Sequence, residues 1–249
     1  MSNTMHIFVG YDSRESDAYD VCLKSIKLNN AANVFVHPLN HLELRKQGLF
    51  KRRWLVNEEG QYIDLEDNLP FSTEFSHSRF LTPIIAKQMG IEGWVLFCDC
   101  DFLFLKSVSS LWDEVSNDNK AAIKCVQFEE QNPKEGQKKM DGMVQSPYYR
   151  KLWSSFVMWN VSHPSNDKLT LEMVNTEKGG NLHKFQWLKD EEIGSINPIW
   201  NYIPTVTSPY IIPAAIHFSE GGPWFKDYKD TEYADNWRKY FKQTIDKYD

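Results

Sequence analysis

The chain has 249 residues, 41% hydrophobic and 25% charged, a balance that excludes a disordered tail, a coiled coil or a collagen-like fibre. Its formal net charge of −6 argues against a nucleic-acid partner, because affinity for a phosphate backbone comes from Lys and Arg. At this length a single domain covering 1–249 is the expectation. No apolar run approaches the roughly 20 residues that span a bilayer, and the first residues lack a basic-then-apolar leader. The expected location is therefore the cytoplasm, with membrane contact only at the periphery. Cys22, Cys98, Cys100 and Cys125 lack the spacing of a zinc site and read as reduced, mostly buried thiols. Aromatic residues reach 14%, nine of them Trp; such faces suit sugar rings, but most read as core. The densest basic run, Lys51-Arg52-Arg53, reads as a solvated face, with an anionic acceptor as the alternative.

In chain order, the apolar run 6–9 closes at Gly10 and predicts a strand. Over 14–28, Ala18, Val21, Cys22, Ser25 and Ile26 fall at helical spacing. A second strand, Val34-Phe35-Val36, is expected to stop at His37-Pro38, where proline cannot continue a central ladder. This β-α-β opening favours a parallel sheet with ligands beyond the carboxyl ends of its strands, which makes loop 10–13 a candidate site. Within 76–89, Phe80, Leu81, Ile84, Ile85 and Met89 share a helical face, and Pro83 must either start that helix late or kink it. Trp94-Val95-Leu96-Phe97 then reads as a central strand, followed by an apolar stretch at 102–105, a helix at 109–115 and a strand at 121–126. The polar segment 127–150, about twice the length at which an unstructured loop becomes unusual, reads as a functional loop or lid. A strand at 156–159, a helix at 169–174, a strand at 211–218 interrupted by Pro213 and an amphipathic helix at 233–248 complete the pattern, with no internal repeat.

The chemistry concentrates in Trp94-Val-Leu-Phe-Cys-Asp-Cys-Asp-Phe-Leu-Phe-Leu105, where Asp99 and Asp101 interrupt an apolar stretch. An ionised carboxylate in apolar surroundings needs a cation, a basic partner or a solvent-open strand end. A divalent metal answers most simply; oxygen ligands suit Mg²⁺ or Mn²⁺, which neutralise charge on a departing diphosphate. The plain structural alternative is a strand-end turn whose aspartates cap backbone groups. A phosphatase of the haloacid-dehalogenase type, with Asp99 as nucleophile, also uses Asp-x-Asp after an apolar strand. It normally has Thr or Val two places on, where this chain has Leu103, and carries the motif in its first strand.

The order of motifs resembles the GT-A glycosyltransferases, in particular the glycogenin and bacterial lipopolysaccharide galactosyltransferase family. Phe8-Val-Gly-Tyr-Asp12, followed by Tyr19 and Leu23-Lys-Ser-Ile26, matches that family's nucleotide loop and first helix, and Ser78-Arg79-Phe80-Leu81 its arginine helix. The Asp-x-Asp at Asp99 and Asp101 follows in order, and Ile216-His-Phe-Ser-Glu-Gly-Gly-Pro-Trp224 is similar to the family's His-x-x-Gly-x-Lys-Pro-Trp signature. Leu152-Trp-Ser-Ser-Phe-Val-Met-Trp-Asn160 and Phe185-Gln-Trp-Leu-Lys-Asp-Glu-Glu-Ile193, with Pro198-Ile-Trp-Asn201, complete the likeness over roughly 8–226. It implies an α/β GT-A-like fold, a twisted mixed sheet flanked by helices. It also implies Gly10, Tyr11 and Asp12 at the nucleobase and ribose, Arg79 at the donor phosphates, Cys100 between the metal aspartates, and His217 as third metal ligand. Gly221 and Gly222 would let the backbone approach the diphosphate. Gly222 stands where the family has its diphosphate lysine, so Lys226 is the candidate replacement. Asp190 is the counterpart of the carboxylate near the reacting sugar, with Glu191 and Glu192 as competitors.

The implied activity is metal-dependent transfer of a hexose, glucose or galactose, from a UDP-sugar to a saccharide or glycoconjugate acceptor, with retention of configuration. Two readings from other classes stand beside it: the phosphatase, and a noncatalytic carbohydrate-binding protein that stacks sugars on Trp.

Overall fold

The apolar run closed by Gly10 forms the first strand, β1 (Met5–Gly10), and the helical spacing after it gives α1 (Ser16–Asn29), entered through a 3-10 turn that Asp12 caps. This computed structural model describes residues 4–30, 33–116, 118, 120–129, 138–139, 143–144 and 150–245. After α1 come β2 (Val34–Leu39) and α2 (His41–Lys46), then a three-stranded meander of β3 (Trp54–Val56), β4 (Tyr62–Asp64) and β5 (Pro70–Phe71). Next are α3 (Thr82–Gln88), β6 (Trp94–Cys98), β7 (Phe102–Phe104), α4 (Ser109–Val115) and β8 (Ile123–Cys125). The antiparallel pair β9 (Lys138–Lys139) and β10 (Met143–Val144) falls in the long polar segment, whose other residues from 130 to 149 lie outside the described set. The chain closes with β11 (Phe156–Asn160), α5 (Leu171–Thr176), α6 (Gly179–His183), β12 (Ile193–Ser195), β13 (Ala215–His217) and α7 (Ala234–Ile245).

Six strands form one mixed sheet in the order β12-β8-β11-β6-β1-β2. β1 pairs in parallel with both β2 and β6, whereas β11 runs antiparallel to β6 and β8. The central strand β6 is buried from Val95 to Cys98, and Ile7, Phe8 and Val9 beside it are fully inside, so their apolar runs show no alternation. The reading of β2 needs correction: the strand continues through Pro38 to Leu39, because β2 is an edge strand whose outer ladder has no partner for proline to deprive. Pro83 starts its helix late, since a 3-10 turn at Ser78–Leu81 precedes α3 and proline sits in the first turn. All four cysteines are free and buried. Among the described residues no helix is long and apolar enough to cross a membrane.

The meander 54–71, α2, α6 and β12 went unread in the sequence. Arg52 explains the meander's position and corrects the reading of the basic run at one residue, since Lys51 and Arg53 are exposed as expected. Arg52 is fully buried, forms a paired contact to Asp64 with Nε–Oδ1 at 2.9 Å, and donates to the carbonyl of Glu177 at 2.6 Å. One guanidinium thus fastens the meander to the α5–α6 connection.

Candidate active site

β6 runs out at Cys98, and the backbone N–H of Asp99 donates to the carbonyl of Ser155 at 3.0 Å. Three residues after Asp99 the chain enters β7, which lies outside the main sheet and pairs with β13. The register sets His217 opposite Phe102, and the N–H of Phe218 reaches the carbonyl of Asp101 at 3.1 Å. A short antiparallel ladder therefore carries an imidazole from near the C-terminus to the end of the central strand. Ligand atoms of Asp99, Asp101 and His217 lie within 4.8 Å of one another, and all three residues are buried.

His217 is held on three sides. Its ring stacks on Phe102 at 4.4 Å and 15°, and its Nε2 lies 3.3 Å from Asp101 Oδ1. On the other edge, Nδ1 meets Asn201 Oδ1 at 2.9 Å, while Asn201 Nδ2 donates to Ser155 Oγ at 3.0 Å. Since Ser155 Oγ in turn donates to the carbonyl of Leu152 at 2.7 Å, the Asn201 amide is orientated and its oxygen faces the ring. Nδ1 then donates to that oxygen, and Nε2 is the ring nitrogen turned toward Asp101. Two carboxylates and an imidazole nitrogen at this spacing form a donor set that suits a divalent cation.

Arg79 sits beside this cluster on the 3-10 turn before α3. Its Nη1 lies 2.9 Å from Asp99 Oδ1 and donates to the carbonyl of Ser154 at 2.9 Å, and its guanidinium packs over Phe75 and Phe97. Both members of the pair are largely buried, which strengthens their attraction relative to water.

A cleft of about 320 Å³ opens on these residues, within the size range of small-molecule sites. Asp99, Asp101, Arg79 and His217 line it together with Phe71 of the meander, His77, and Gly179, His183 and Lys184 at α6. His183 Nδ1 is 2.7 Å from Ser154 Oγ, so Ser154 contacts Arg79 through its carbonyl and His183 through its hydroxyl. His77 is entirely enclosed; burial, then the nearby Arg52, holds its pKa well below the usual imidazole range. His77 and His183 carry no motif of their own in the sequence, and Asn201 ends the Pro198–Asn201 element without any sign there that it would meet His217.

The remaining residues expected at the donor do not line this cleft. Asp12 is buried as a cap, accepting from the backbone N–H of Arg14 at 2.9 Å and of Glu74 at 3.0 Å. Tyr11 stands edge-on to Tyr19, and a Cβ on Gly10 would lie 2.5 Å from the Phe75 ring, so that glycine is fixed by packing. Cys100 faces the core, where burial pushes its thiol pKa well up. Gly221 has φ +137°, and a Cβ on Gly222 would collide with the Trp224 ring, so both glycines answer to aromatic packing. Lys226 is exposed on a 3-10 turn away from the cleft. Asp190, expected beside the reacting sugar, projects 85% exposed from another 3-10 turn and pairs with Arg150. Its turn carries it outward, and Glu192 is spent capping that same turn by accepting from the N–H of Lys189.

No family model matches the chain. Its fold superposes on the WbbM bifunctional glycosyltransferase with a TM-score of 0.60 at 14% identity, covering 97% of this chain and 50% of that one. The chain thus spans about half the length of WbbM. It superposes equally broadly on galactosyltransferase LgtC in complex with donor and acceptor sugar analogues, with a TM-score of 0.56, 14% identity and 96% coverage of each chain. The glycosyltransferase GlyE of Streptococcus pneumoniae gives a TM-score of 0.56 at 14% identity over 99% of this chain and 63% of that one. The fold is the GT-A fold, as the sequence resemblance implied. Protein CDI of Arabidopsis thaliana is 48% identical over 236 residues, 93% of this chain and 83% of that one. The chain belongs to the Protein CDI family.

Proposed function

We propose that this chain is a metal-dependent glycosyltransferase that moves a hexose from a UDP-sugar, UDP-glucose or UDP-galactose, to a saccharide or glycoconjugate acceptor with retention of configuration, acting as one catalytic domain. The observation that carries the reading is the convergence of Asp99, Asp101 and His217 within 4.8 Å at the mouth of a cleft that Arg79 also lines. A bound Mn²⁺ or Mg²⁺ would supply positive charge where diphosphate accumulates negative charge. The chain's own part is to fix that charge in place. Asp99 and Asp101 anchor the cation from a rigid strand end, His217 presents Nε2, and Arg79 adds a guanidinium that needs no rearrangement as the leaving group departs. Phe75 and Phe97 pack against that guanidinium and help fix its place.

The test is the melting temperature with Mn²⁺ plus UDP, Mn²⁺ plus GDP, and Mn²⁺ alone, in the native chain and in Asp101→Ala. Ligand at 100 times its Kd adds about 2.7 kcal/mol. Stabilisation by UDP with Mn²⁺, absent with GDP and lost in the variant, supports the reading, and UDP-sugars are then assayed for turnover. No stabilisation by any nucleotide, or phosphate release from simple esters that depends on Asp99 alone, overturns it.

A further inference from the structure

The donor reading leaves a charge unaccounted for. Gly222 replaces the lysine of the resembling family, and Lys226 stands exposed away from the cleft. Two other lysines, Lys151 and Lys184, line the cleft together with Arg79, Asp99 and Asp101. We propose that Lys151 and Lys184 are the diphosphate-binding lysines of this chain, gripping the donor within the cleft that Asp99 and Asp101 also line. The proposal rests on the donor reading above.

Three features of the backbone hold these lysines at the site. Lys151 lies between two non-glycine residues in the left-handed region, Arg150 at φ 62° and Leu152 at φ 72°. Such paired excursions are uncommon and turn the chain sharply on either side of the lysine. The guanidinium of Arg150 then donates to the carbonyl of Lys184 at 2.8 Å, which fastens the two lysine-bearing segments to each other. Ser154 ties both to the metal cluster: it follows Lys151 by three residues, bonds His183 immediately before Lys184, and accepts from Arg79, the partner of Asp99.

Charge balance points the same way. The cleft walls carry Asp64, Asp67, Asp99 and Asp101 against Arg79, Lys151 and Lys184, and the buried Arg52 neutralises Asp64 from behind. Among the described lining residues, with Arg52 counted, these formal charges cancel. A divalent cation then leaves the cleft doubly positive, which matches the charge of a nucleoside diphosphate sugar; without the two lysines the loaded cleft would be neutral.

The experiment measures the Kd of UDP in the presence of Mn²⁺, by calorimetry, for the native chain, Lys151→Gln, Lys184→Gln, the double variant and Lys226→Gln. A hydrogen bond to a charged group corresponds to about tenfold or more in affinity. The expected result is a loss of about tenfold for each cleft lysine, a larger loss in the double variant, restoration by Lys184→Arg, and a change within about twofold for Lys226→Gln. An unchanged Kd in the double variant, or a loss confined to Lys226→Gln, overturns the assignment while leaving the UDP donor intact. A native chain that binds no UDP overturns the donor reading itself.

Discussion

Asn201 Oδ1 accepts the Nδ1 proton of His217 at 2.9 Å, and this bond decides which ring nitrogen faces Asp101. Asn201 is fully buried and orientated by Ser155, so the tautomer is set by two side chains from different parts of the chain. Asn201→Leu removes the acceptor and frees the ring to protonate at either nitrogen. The expected outcome is a loss of about 10- to 100-fold in Mn²⁺ affinity, read from the electron paramagnetic resonance signal of free Mn²⁺. Asn201→Asp, which still accepts from Nδ1, keeps the affinity within a few-fold. Equal losses in both variants would show that Asn201 serves packing and not the tautomer.

Arg79 and Asp99 form a buried ion pair at 2.9 Å, and removing one member of such a pair costs about 3–5 kcal/mol because the other charge is stranded. Arg79→Met should therefore lower the melting temperature in chelator. Added Mn²⁺ neutralises Asp99 from the other side, so the deficit relative to the native chain should shrink. A deficit that stays constant across Mn²⁺ concentrations would separate Arg79 from the metal cluster.

The parts of this architecture that reside in local pattern were readable in advance. Trp94 to Phe97 is an apolar run long enough for a central strand, and the two aspartates that end it stand out because burial of charge is costly. His217 was reachable only through the resemblance, since nothing local distinguishes it from a packed histidine; the β7–β13 ladder supplies its position. Arg52 shows the opposite failure. Within a basic triplet it looks solvated, yet its paired contact with Asp64, twelve residues later, makes it a core residue. Asp190 stands exposed and paired with Arg150, and a carboxylate in a charged run gives no sign of which way its turn will point. The meander strands have two or three residues each, too few for a period-two signal to register.

The buried Arg52–Asp64 pair yields its own test. Arg52→Met strands Asp64 at 1% exposure and should destabilise the fold by about 3–5 kcal/mol in urea titration. Combining it with Asp64→Leu removes the stranded charge and should recover a large part of that loss. Asp67, which accepts from the N–H of Gly179 at 2.8 Å and lies 3.9 Å from Arg52, links the pair to α6. Because α6 forms one cleft wall, Arg52→Met should also weaken UDP binding in protein that remains folded. Full recovery of stability with no change in UDP affinity would confine Arg52 to a packing role.

His77 makes stability depend on pH in a defined direction. Burial lowers its pKa well below 6.5, and the charges of Arg52, His183 and Arg79 push it the same way. In the native state the ring stays neutral as pH falls past 6.5, whereas the unfolded chain takes up a proton there. Proton binding to the unfolded state alone favours unfolding, so the stabilising contribution is complete above about pH 6.5 and is lost as pH falls toward the folded pKa. His6, His37 and His41 are also shifted down by burial and add in the same sense. A slope of up to about 1.4 kcal/mol per pH unit belongs to His77 alone. The measurement is unfolding free energy in urea at half-unit steps from pH 8 to 5, a window above the ordinary carboxylate range. His77→Gln should flatten the lower half of that curve by this slope and leave the upper half parallel to the native one. Parallel curves throughout would mean that the ring gains a proton in the folded protein, and with it that the wall of the cleft beside α6 opens to water.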